Sequence, residues 1–390
     1  MNPAFSRFAT AETELLACCA RTFVAPAIAA RIRQIAAAPL DWNFVIAQAQ
    51  EHSILPLVAR NLRSLSGDVV PTHVAAQFEP AVRANAVRCL AQTSELVRIA
   101  DRLASHGIRA LPYKGPVIAA QAYRDVAARQ FEDLDIILHQ RDVPAADGVV
   151  RSLGYQPRSA WLHSSNGRAV VPGEYSYVHP VRQVTLELHT EATLRHFPTA
   201  APLEEFFDRS VDVDLGGSSV QTFCAEDALL VYSIHATKDF WQKLIWTVDI
   251  AEMLRAFPNL DWDSVWRTCE RIDARRMVHL GLPLAAGILD AQLPRDAHAK
   301  VESDSSASAL ALQIARRLLS HDPAAPPRTA RQRFLYRRQT VPGFAAGWRY
   351  ALRLTLAPAE EDWAATGAPS SNSPLHRAIR PFRLLRKYGR

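Results

Sequence analysis

The stretch YKGPVIAAQAYRDVAARQFEDLDIIL, residues Tyr113–Leu138, decides the fold. A short apolar run after Gly107 leads into it, a helix-like segment forms its middle, and the apolar run DLDIIL ends it. This order predicts a strand, a helix and a second strand. Lys114 and Gly115 lie at the first turn, where glycine allows a close backbone approach and a helix N-terminus offers amide groups to a phosphate.

Two aspartates open the second strand. Because residues two apart on a strand point to the same face, Asp133 and Asp135 are expected to project side by side. Carboxylates placed in this way bind Mg²⁺, and a pair of ions about 4 Å apart serves phosphoryl or nucleotidyl transfer. The apolar strand favours a site, because desolvated carboxylates need cations. The spacing alone is weak, since it also occurs at Glu12/Glu14, Asp212/Asp214, Asp261/Asp263 and Glu302/Asp304.

Two further strand-like runs follow, EYSYVHP and QVTLELHT, which alternate as the strands of a hairpin do. Before them, RDVPAADGVVRSLGY predicts a short helix closed by Gly154. Glu187 lies inside the second run. If that strand lies beside DLDIIL, Glu187 completes a cluster of three carboxylates; otherwise it is an ordinary strand-edge residue.

Helical patterns flank this predicted sheet. The helical period covers about residues 10 to 107 and returns after Cys224. In the first region, apolar residues recur at three- and four-residue steps, as at Leu90, Leu96, Ile99 and Leu103. In the second region, we expect a core to be faced by Trp241, Leu244, Val248 and Leu254. The stretch HDPAAPPRTA at 321–330 is typical of a proline-rich linker.

The predicted fold class is α+β, with a small mixed sheet core flanked by N-terminal and C-terminal helical regions. A chain of 390 residues exceeds one average core, so several units are expected. We predict an N-terminal helical region at 1–107, the sheet core at 108–222, a C-terminal helical domain at 223–320, and a linker with a basic segment at 321–390.

Composition excludes several classes of protein. Hydrophobic residues at 48% and charged residues at 22% are close to globular averages, which argues against disorder. No apolar run reaches the roughly 20 residues of a membrane span, and Glu12 and Glu14 stand where a signal peptide needs apolar residues, so we predict a cytoplasmic protein. The five cysteines form neither a disulfide framework nor a metal-ligand pattern.

The block that begins at Tyr113, followed by ELHT, resembles a family of nucleotidyltransferase-like proteins described as uncharacterised nucleotidyltransferases. The segments IHATKDFWQKLIWTVDIAEML, LAPAEEDW and LHRAIRPFRLLRKYGR are similar to later parts of the same family. The resemblance covers about residues 85–390, and although each motif is short, their order and spacing agree.

The resemblance implies a polymerase-β-like nucleotidyltransferase core at 108–222. In such a core, Asp133 and Asp135 hold Mg²⁺ or Mn²⁺, and Glu187 is the third catalytic and metal-binding acid. The NTP enters over Lys114 and Gly115. An acceptor hydroxyl then attacks the α-phosphorus and pyrophosphate leaves, so positioning and charge neutralisation carry most of the catalysis.

Three further residues are candidates for binding the NTP or shaping its site. Arg129 matches the family's motif and either pairs with phosphate or locks the loop before β-strand DLDIIL. Lys238 is placed to reach a triphosphate, and Asp249 to orient it or a helix; a structural role is the alternative for both. The sequence departs from the broader superfamily at Lys114-Gly115, where Gly-Ser is common.

The expected function is transfer of an NMP group from an NTP to a hydroxyl of a protein, peptide, sugar or small molecule. The alternative is a catalytically weak member that binds nucleotide or a partner protein. Modification of nucleic-acid ends draws on the net charge of +6 and the basic tail. It ranks last, because no RNA-binding module is recognisable and basic residues are diffuse elsewhere.

The C-terminal segment RAIRPFRLLRKYGR is basic and amphipathic, and Pro381 interrupts it as a continuous helix. Such a segment meets anionic lipid, nucleic acid or an acidic protein face, or docks its apolar side on its own domain. Its arginines, Arg377, Arg380, Arg383 and Arg386, recur at three-residue steps, with Ile379, Phe382 and Leu385 on another side.

Overall fold

The computed structural model describes residues 1–66, 70–158, 173–192, 203–321, 326–327, 329–356, 380 and 382–383. Helices surround a small mixed sheet, which confirms the predicted α+β class. Within these residues, no helix has both the length and the apolar character that a membrane crossing needs.

In the described part of the chain before the sheet there are six helices. The longest, α6, has its Leu96, Ile99 and Leu103 buried against the sheet, whereas Leu90 is exposed on its outer side. The six helices are α1 (Pro3–Ser6), α2 (Ala11–Cys19), α3 (Pro26–Ala36), α4 (Trp42–Glu51), α5 (Leu55–Ser66) and α6 (Thr72–Ser105).

The main sheet has five strands in the order β1-β2-β5-β4-β3. The β2–β5 pair is parallel, and the other pairs are antiparallel. Two more strands, β6 and β7, form a separate hairpin. The strands are β1 (Ala110–Tyr113), β2 (Asp133–Leu138), β3 (Gln156–Pro157), β4 (Glu174–His179), β5 (Val184–His189), β6 (Val211–Asp214) and β7 (Ser219–Thr222).

Short helical segments connect these strands. After β1, helix α7 (Gly115–Ile118) continues as a π-helical turn (Ala119–Tyr123), and the chain leaves it at Arg124 with a left-handed φ of 59°. The helix is therefore shorter than the pattern PVIAAQAYRDVAA predicts. The others are a 3-10 turn (Gln140–Asp142), α8 (Val143–Ser152) and α9 (Leu203–Asp208).

The two faces of the sheet have different surroundings. Leu134, Ile136 and Leu138 of β2 belong to the apolar cluster that α6 and α8 cover. Because side chains alternate along a strand, Asp133 and Asp135 point to the opposite face. Ile137, on that same face, packs with the helices that follow the sheet.

Among the described residues, eight helices with defined ends follow the sheet. Trp241, Leu244, Val248 and Leu254 are all buried, as the helical period predicts. Positive φ angles at Phe240 and Trp241 divide the continuous pattern into two helices. The eight are α10 (Ala225–Lys238), α11 (Leu244–Ala256), α12 (Trp262–Arg271), α13 (Arg275–Leu289), α14 (Arg295–Glu302), α15 (Ser305–Leu319), α16 (Ala330–Thr340) and α17 (Gly343–Leu356).

The predicted C-terminal tail lies mostly outside the described residues, as does much of the predicted linker. Of the tail's basic face, Arg380 is buried, while Phe382 of its apolar side is exposed. All five cysteines are free.

Candidate metal and nucleotide site

The acids of the candidate site meet across two neighbouring parallel strands. Asp135 on β2 lies opposite Glu187 on β5, and Asp133 lies opposite Thr185. The strand of Glu187 therefore lies beside DLDIIL, which is the arrangement that a three-carboxylate cluster requires. This register places the acids on the sheet face opposite to the one that α6 and α8 cover.

Asp135 is the buried centre of this cluster, with 2% of its surface exposed. Its Oδ1 accepts a hydrogen bond from Lys114 Nζ at 2.7 Å, and His189 Nε2 lies 2.9 Å from the same oxygen. His189 Nε2 also lies 3.5 Å from Glu187 Oε2. Oδ1 of Asp135 thus contacts both Lys114 and His189, and His189 also contacts Glu187.

These contacts shift the pKa values of the groups that make them. Burial alone raises the pKa of Asp135, but the charge of Lys114 and the hydrogen bond to His189 outweigh burial and hold it well below its ordinary value. Burial alone lowers the pKa of Lys114, but the charge of Asp135 raises it well above its ordinary value. The pair is therefore ionised throughout the physiological pH range.

His189 responds to the same two acids. Burial by itself lowers the pKa of an imidazole, but the contacts with Asp135 and Glu187 outweigh it, so the pKa of His189 is raised. A histidine in this position contacts both carboxylates and fixes their orientation.

Asp133 is the acid of the cluster whose pKa is raised. Within the described part of the chain its carboxylate has no hydrogen-bond or ion-pair partner. Burial, followed by repulsion from Asp135, raises the pKa of Asp133 to about 6. A buried carboxylate beside other acids is costly unless a cation neutralises it.

The donor set of the cluster fits a hard divalent cation. One ligand atom each of Asp135, Glu187 and His189 lies within 4.8 Å of the others, and these residues form the one such group found in the described ranges. Carboxylate oxygens are the ligands that Mg²⁺ and Mn²⁺ prefer. Asp133 on the same sheet face adds a further carboxylate, so the residues present suit either ion.

The turn at Lys114 and Gly115 brings the backbone close to β2. Lys114 has φ 61° and ψ −161°, a region that glycine alone adopts readily. A Cβ added at Gly115 would lie 3.4 Å from the backbone oxygen of Asp133. Because α7 has only four residues, the phosphate-binding potential here rests on the turn and on the Lys114 ammonium rather than on a long helix.

Arg129 lies away from the cluster, in a buried pair with Asp249 of α11. Its Nε and Nη2 donate to the two oxygens of Asp249 at 2.8 Å each, and Tyr123 donates to the same carboxylate at 2.6 Å. This geometry corresponds to the locking of the loop before β2, one of the two roles expected for Arg129. Asp249 orients that loop and its own helix.

Lys238 ends α10 and lies next to the cluster. Its Nζ is 3.6 Å from Glu174 Oε2, and Glu174 is paired with His189 across β4 and β5. Lys238 therefore stands one strand away from the acids, with its ammonium partly exposed. The structure brings Asp133, Asp135, Glu187 and Lys114 together, while Lys238 lies at their edge and Arg129 lies outside them.

Sequence reasoning did not identify His189 or Ser176. His189 follows Glu187 by two residues on a strand, so the same period that pairs the aspartates places it on the acidic face. Ser176 lies opposite Glu187, and its buried Oγ has no hydrogen-bond partner among the residues described. No sequence signal marks Ser176, because its position depends on the hairpin register.

Comparison with known proteins identifies a family. A family model described as "Uncharacterised nucleotidyltransferase" matches residues 38–290, well over half of the chain. The match includes every strand and all of the candidate site residues. It confirms the resemblance that the sequence motifs indicated. Among curated proteins, none matches significantly.

Two solved structures share a weaker likeness. The antibiotic-resistance factor ANT(2'')-Ia is 14% identical, with a TM-score of 0.34 over 47% of this chain and 92% of that chain. An antigenic nucleotidyltransferase-like protein from Paracoccidioides brasiliensis is 15% identical, with a TM-score of 0.32 over 53% of this chain and 94% of that chain. Family membership rests on the sequence match alone.

Proposed function

This chain belongs to the uncharacterised nucleotidyltransferase family, and from this premise we propose that it transfers an NMP group from an NTP to a hydroxyl group with Mg²⁺ or Mn²⁺. The acceptor is a protein, peptide, sugar or small molecule. The observation that carries the proposal is the pairing of Asp135 with Glu187 on adjacent parallel strands, with Asp133 on the same face.

The reaction forms one bond and breaks another. The acceptor oxygen bonds to the α-phosphorus, the bond from that phosphorus to the bridging oxygen breaks, and pyrophosphate leaves while the hydroxyl proton passes to the site or to solvent. Divalent ions, when bound, neutralise the triphosphate and help to ionise the acceptor hydroxyl. The chain's own task is to hold the charges and the reacting groups in position.

Each residue near the cluster has a role in this proposal. Asp133, Asp135 and Glu187 hold the ions, and His189 orients the carboxylates of Asp135 and Glu187. Lys114, already a cation beside Asp135, meets the negative charge of the phosphates as a point charge.

Two cations act farther from the acids. Lys238 is paired with Glu174, and both side chains are partly exposed to solvent. Its ammonium is placed to meet the distal phosphates. Arg129 is a positioning residue, because its guanidinium is committed to Asp249 and holds the loop that leads into β2.

The proposal is tested by incubating the purified protein with each α-³²P-labelled NTP, Mg²⁺ or Mn²⁺, and cell extract. We expect metal-dependent transfer of label to an acceptor, lost in Asp133→Ala/Asp135→Ala. The matched control is Asp212→Ala/Asp214→Ala, which removes the same acid-x-acid spacing from the exposed side of β6 and should label like the parent. Equal labelling by the first double variant would overturn the assignment.

The second candidate function is a nucleotide-binding or partner-binding module without turnover. The hydrogen bond from Lys114 to Asp135 favours it, because the ammonium occupies a carboxylate oxygen that a divalent ion would use. Calorimetry that shows NTP binding dependent on Asp133 and Asp135, with no product in any extract, supports this function. Turnover in a single extract rejects it.

A further inference from the structure

Helix α17 exposes a stripe of large apolar side chains. Phe344 is 82% exposed, Trp348 61%, and Leu352 and Leu356 45% each. Residues four apart on a helix are neighbours on one face, so these side chains form a continuous surface, which we call the α17 stripe. Large exposed apolar patches are uncommon on water-facing surfaces and mark interaction sites.

The opposite side of α17 is already packed on the protein. Ala346 and Tyr350 are buried, and the Tyr350 ring stacks on Phe334 of α16 with centroids 5.9 Å apart. Arg349 of α17 pairs with Asp273, just after α12, at 2.8 Å. The helix is therefore anchored through its inner face, and among the described residues the α17 stripe is the face left exposed.

The surroundings of the α17 stripe are strongly basic. No aspartate or glutamate occurs anywhere between residues 330 and 356. At 100° per residue, Arg349 and Arg353 fall at the border between the stripe and the packed side of α17. Arg331 and Arg333 of α16 are exposed as well. The segment contains Arg331, Arg333, Arg337, Arg338, Arg349 and Arg353.

We propose that α16 and α17 form a peripheral docking surface for anionic phospholipid bilayers. The α17 stripe enters the boundary between headgroups and acyl chains, and the flanking arginines meet the lipid phosphates. Aromatic and leucine residues on one face with arginines at its border are the composition that an interfacial helix needs. RNA is contacted through cations and through aromatic side chains that stack on bases, but the two leucines on the same face serve neither contact and favour lipid.

The α17 stripe contains none of the residues of the acidic cluster, so the proposal does not depend on the proposed transfer reaction. It concerns where the protein acts rather than what reaction it performs. The test therefore uses the full chain and measures binding, with no readout of activity.

The experiment is cosedimentation of the full chain with vesicles of phosphatidylcholine alone or with about one third phosphatidylglycerol. We expect binding to the anionic vesicles only, and weaker binding as salt screens the arginines. Absence of binding to anionic vesicles contradicts the proposal. So does equal binding to neutral vesicles, because the arginines would then contribute nothing.

A pair of variants tests whether the α17 stripe makes the contact. Phe344→Ser/Trp348→Ser should bind anionic vesicles about tenfold more weakly or worse, since two large side chains no longer leave water. The control Val87→Ser/Leu90→Ser removes exposed apolar side chains from α6 and should bind like the parent. Because both pairs are exposed, each variant should unfold as cooperatively as the parent.

Three results would overturn the assignment to lipid. The first is parental vesicle binding by Phe344→Ser/Trp348→Ser. The second is a dimer in gel filtration that this variant abolishes, without vesicle binding by the parent. The third is oligonucleotide binding that survives the variant while vesicles are ignored.

Discussion

Lys114 combines an unusual backbone conformation with a buried ion pair. Its φ of 61° and ψ of −161° lie in a region that costs a residue with a Cβ about 1–3 kcal/mol. The hydrogen bond to Asp135 at 2.7 Å holds the side chain in place across the turn. A strained residue whose side chain is fixed on a candidate catalytic acid is what a functional constraint produces.

Two substitutions separate the backbone from the side chain at this position. Lys114→Ala and Lys114→Gly both remove the ammonium, but only glycine adopts the backbone conformation without strain. We expect Lys114→Gly to be more stable than Lys114→Ala by about 1–3 kcal/mol in urea unfolding. In most positions the order is reversed. Equal stability, or a more stable alanine variant, would show that the strain is absent.

Asp133 should destabilise the metal-free protein. Its pKa is raised from the ordinary value to about 6, so the folded state holds the proton more strongly and loses stability as pH rises from about 4 to 6. At pH 7 we expect Asp133→Asn to be more stable by about 1–3 kcal/mol. The same variant should lose the stabilisation that Mn²⁺ confers on the parent.

Thermal unfolding at pH 7 with and without Mn²⁺ measures both effects. Asp212→Asn, on the exposed side of β6, should change neither stability nor the response to Mn²⁺. A destabilised Asp133→Asn, or one that Mn²⁺ still stabilises like the parent, contradicts this account of Asp133.

Single residues differ in how far sequence predicts them. The period of two on a strand places Asp133 beside Asp135, and the motif ELHT draws attention to Glu187. The residues that these side chains contact could not be predicted from the strand period or from a motif. The contacts of Asp135 with Lys114 and of Arg129 with Asp249 depend on tertiary packing, the second across 120 positions of the chain.

At the scale of elements, His52 after α4 supports the start of α11. Its carbonyl accepts from the Ile245 amide at 3.2 Å, and its Nδ1 lies 3.3 Å from the Leu244 amide. These are among the first amides of α11, which have no partner inside the helix. Burial, followed by the charge of Lys243, lowers the pKa of His52 to about 4.

This contact predicts a loss of stability in mild acid. The unfolded chain takes up the His52 proton near pH 6.5, while the folded chain resists it until about pH 4. The free energy of unfolding should fall as pH drops through this window, by up to about 3 kcal/mol from this group. Urea unfolding of the parent and of His52→Gln between pH 7 and 4 measures it.

In His52→Gln the free energy of unfolding should depend less steeply on pH than in the parent. The difference in slope should correspond to about one bound proton at most. The exposed His106→Gln is the control and should keep the parental slope. An unchanged slope in His52→Gln would mean that the imidazole is not held neutral by the fold.

The pair formed by Arg129 and Asp249 joins the loop before β2 to α11. Removing one partner leaves a buried charge alone, so Arg129→Met should cost about 3–5 kcal/mol in urea unfolding. Arg129→Met/Asp249→Asn should be more stable than Arg129→Met, because the uncompensated charge is gone while Tyr123 keeps an acceptor. Additive losses in the double variant would contradict the pairing.

Elements were predicted best where periodicity is strong and local. The hairpin of β4 and β5 and the helix closed by Gly154 follow from alternation and glycine position. The break between α10 and α11 did not follow, because left-handed φ values at Phe240 and Trp241 run against the preferences of aromatic residues. The free energy gained by burying the Trp241 side chain offsets the cost of its left-handed backbone conformation.

Over the whole molecule, the helices before and after the sheet share one apolar core. Leu15 of α2, Leu62 of α5, Val248 of α11 and Leu280 of α13 belong to the same buried cluster. A second cluster lies between the sheet, α6 and α8. The acidic face of the sheet is thus held against a helical body to which the N-terminal and C-terminal parts of the chain both contribute.

The division into four segments stays a prediction. Sequence periodicity separates regions by their pattern, but it does not report which of two distant helical regions pack together. The shared cluster arises from contacts between segments more than two hundred positions apart, which no local pattern contains.

The most direct test of the central claim is a crystal structure with Mn²⁺ and a non-hydrolysable NTP analogue, read by anomalous scattering. The account predicts a manganese peak between the carboxylates of Asp135 and Glu187, within reach of Asp133, with the triphosphate beside Lys114. The same crystals of Asp133→Asn/Asp135→Asn should lack the peak. A manganese or nucleotide bound elsewhere, with these three acids unliganded, would contradict it.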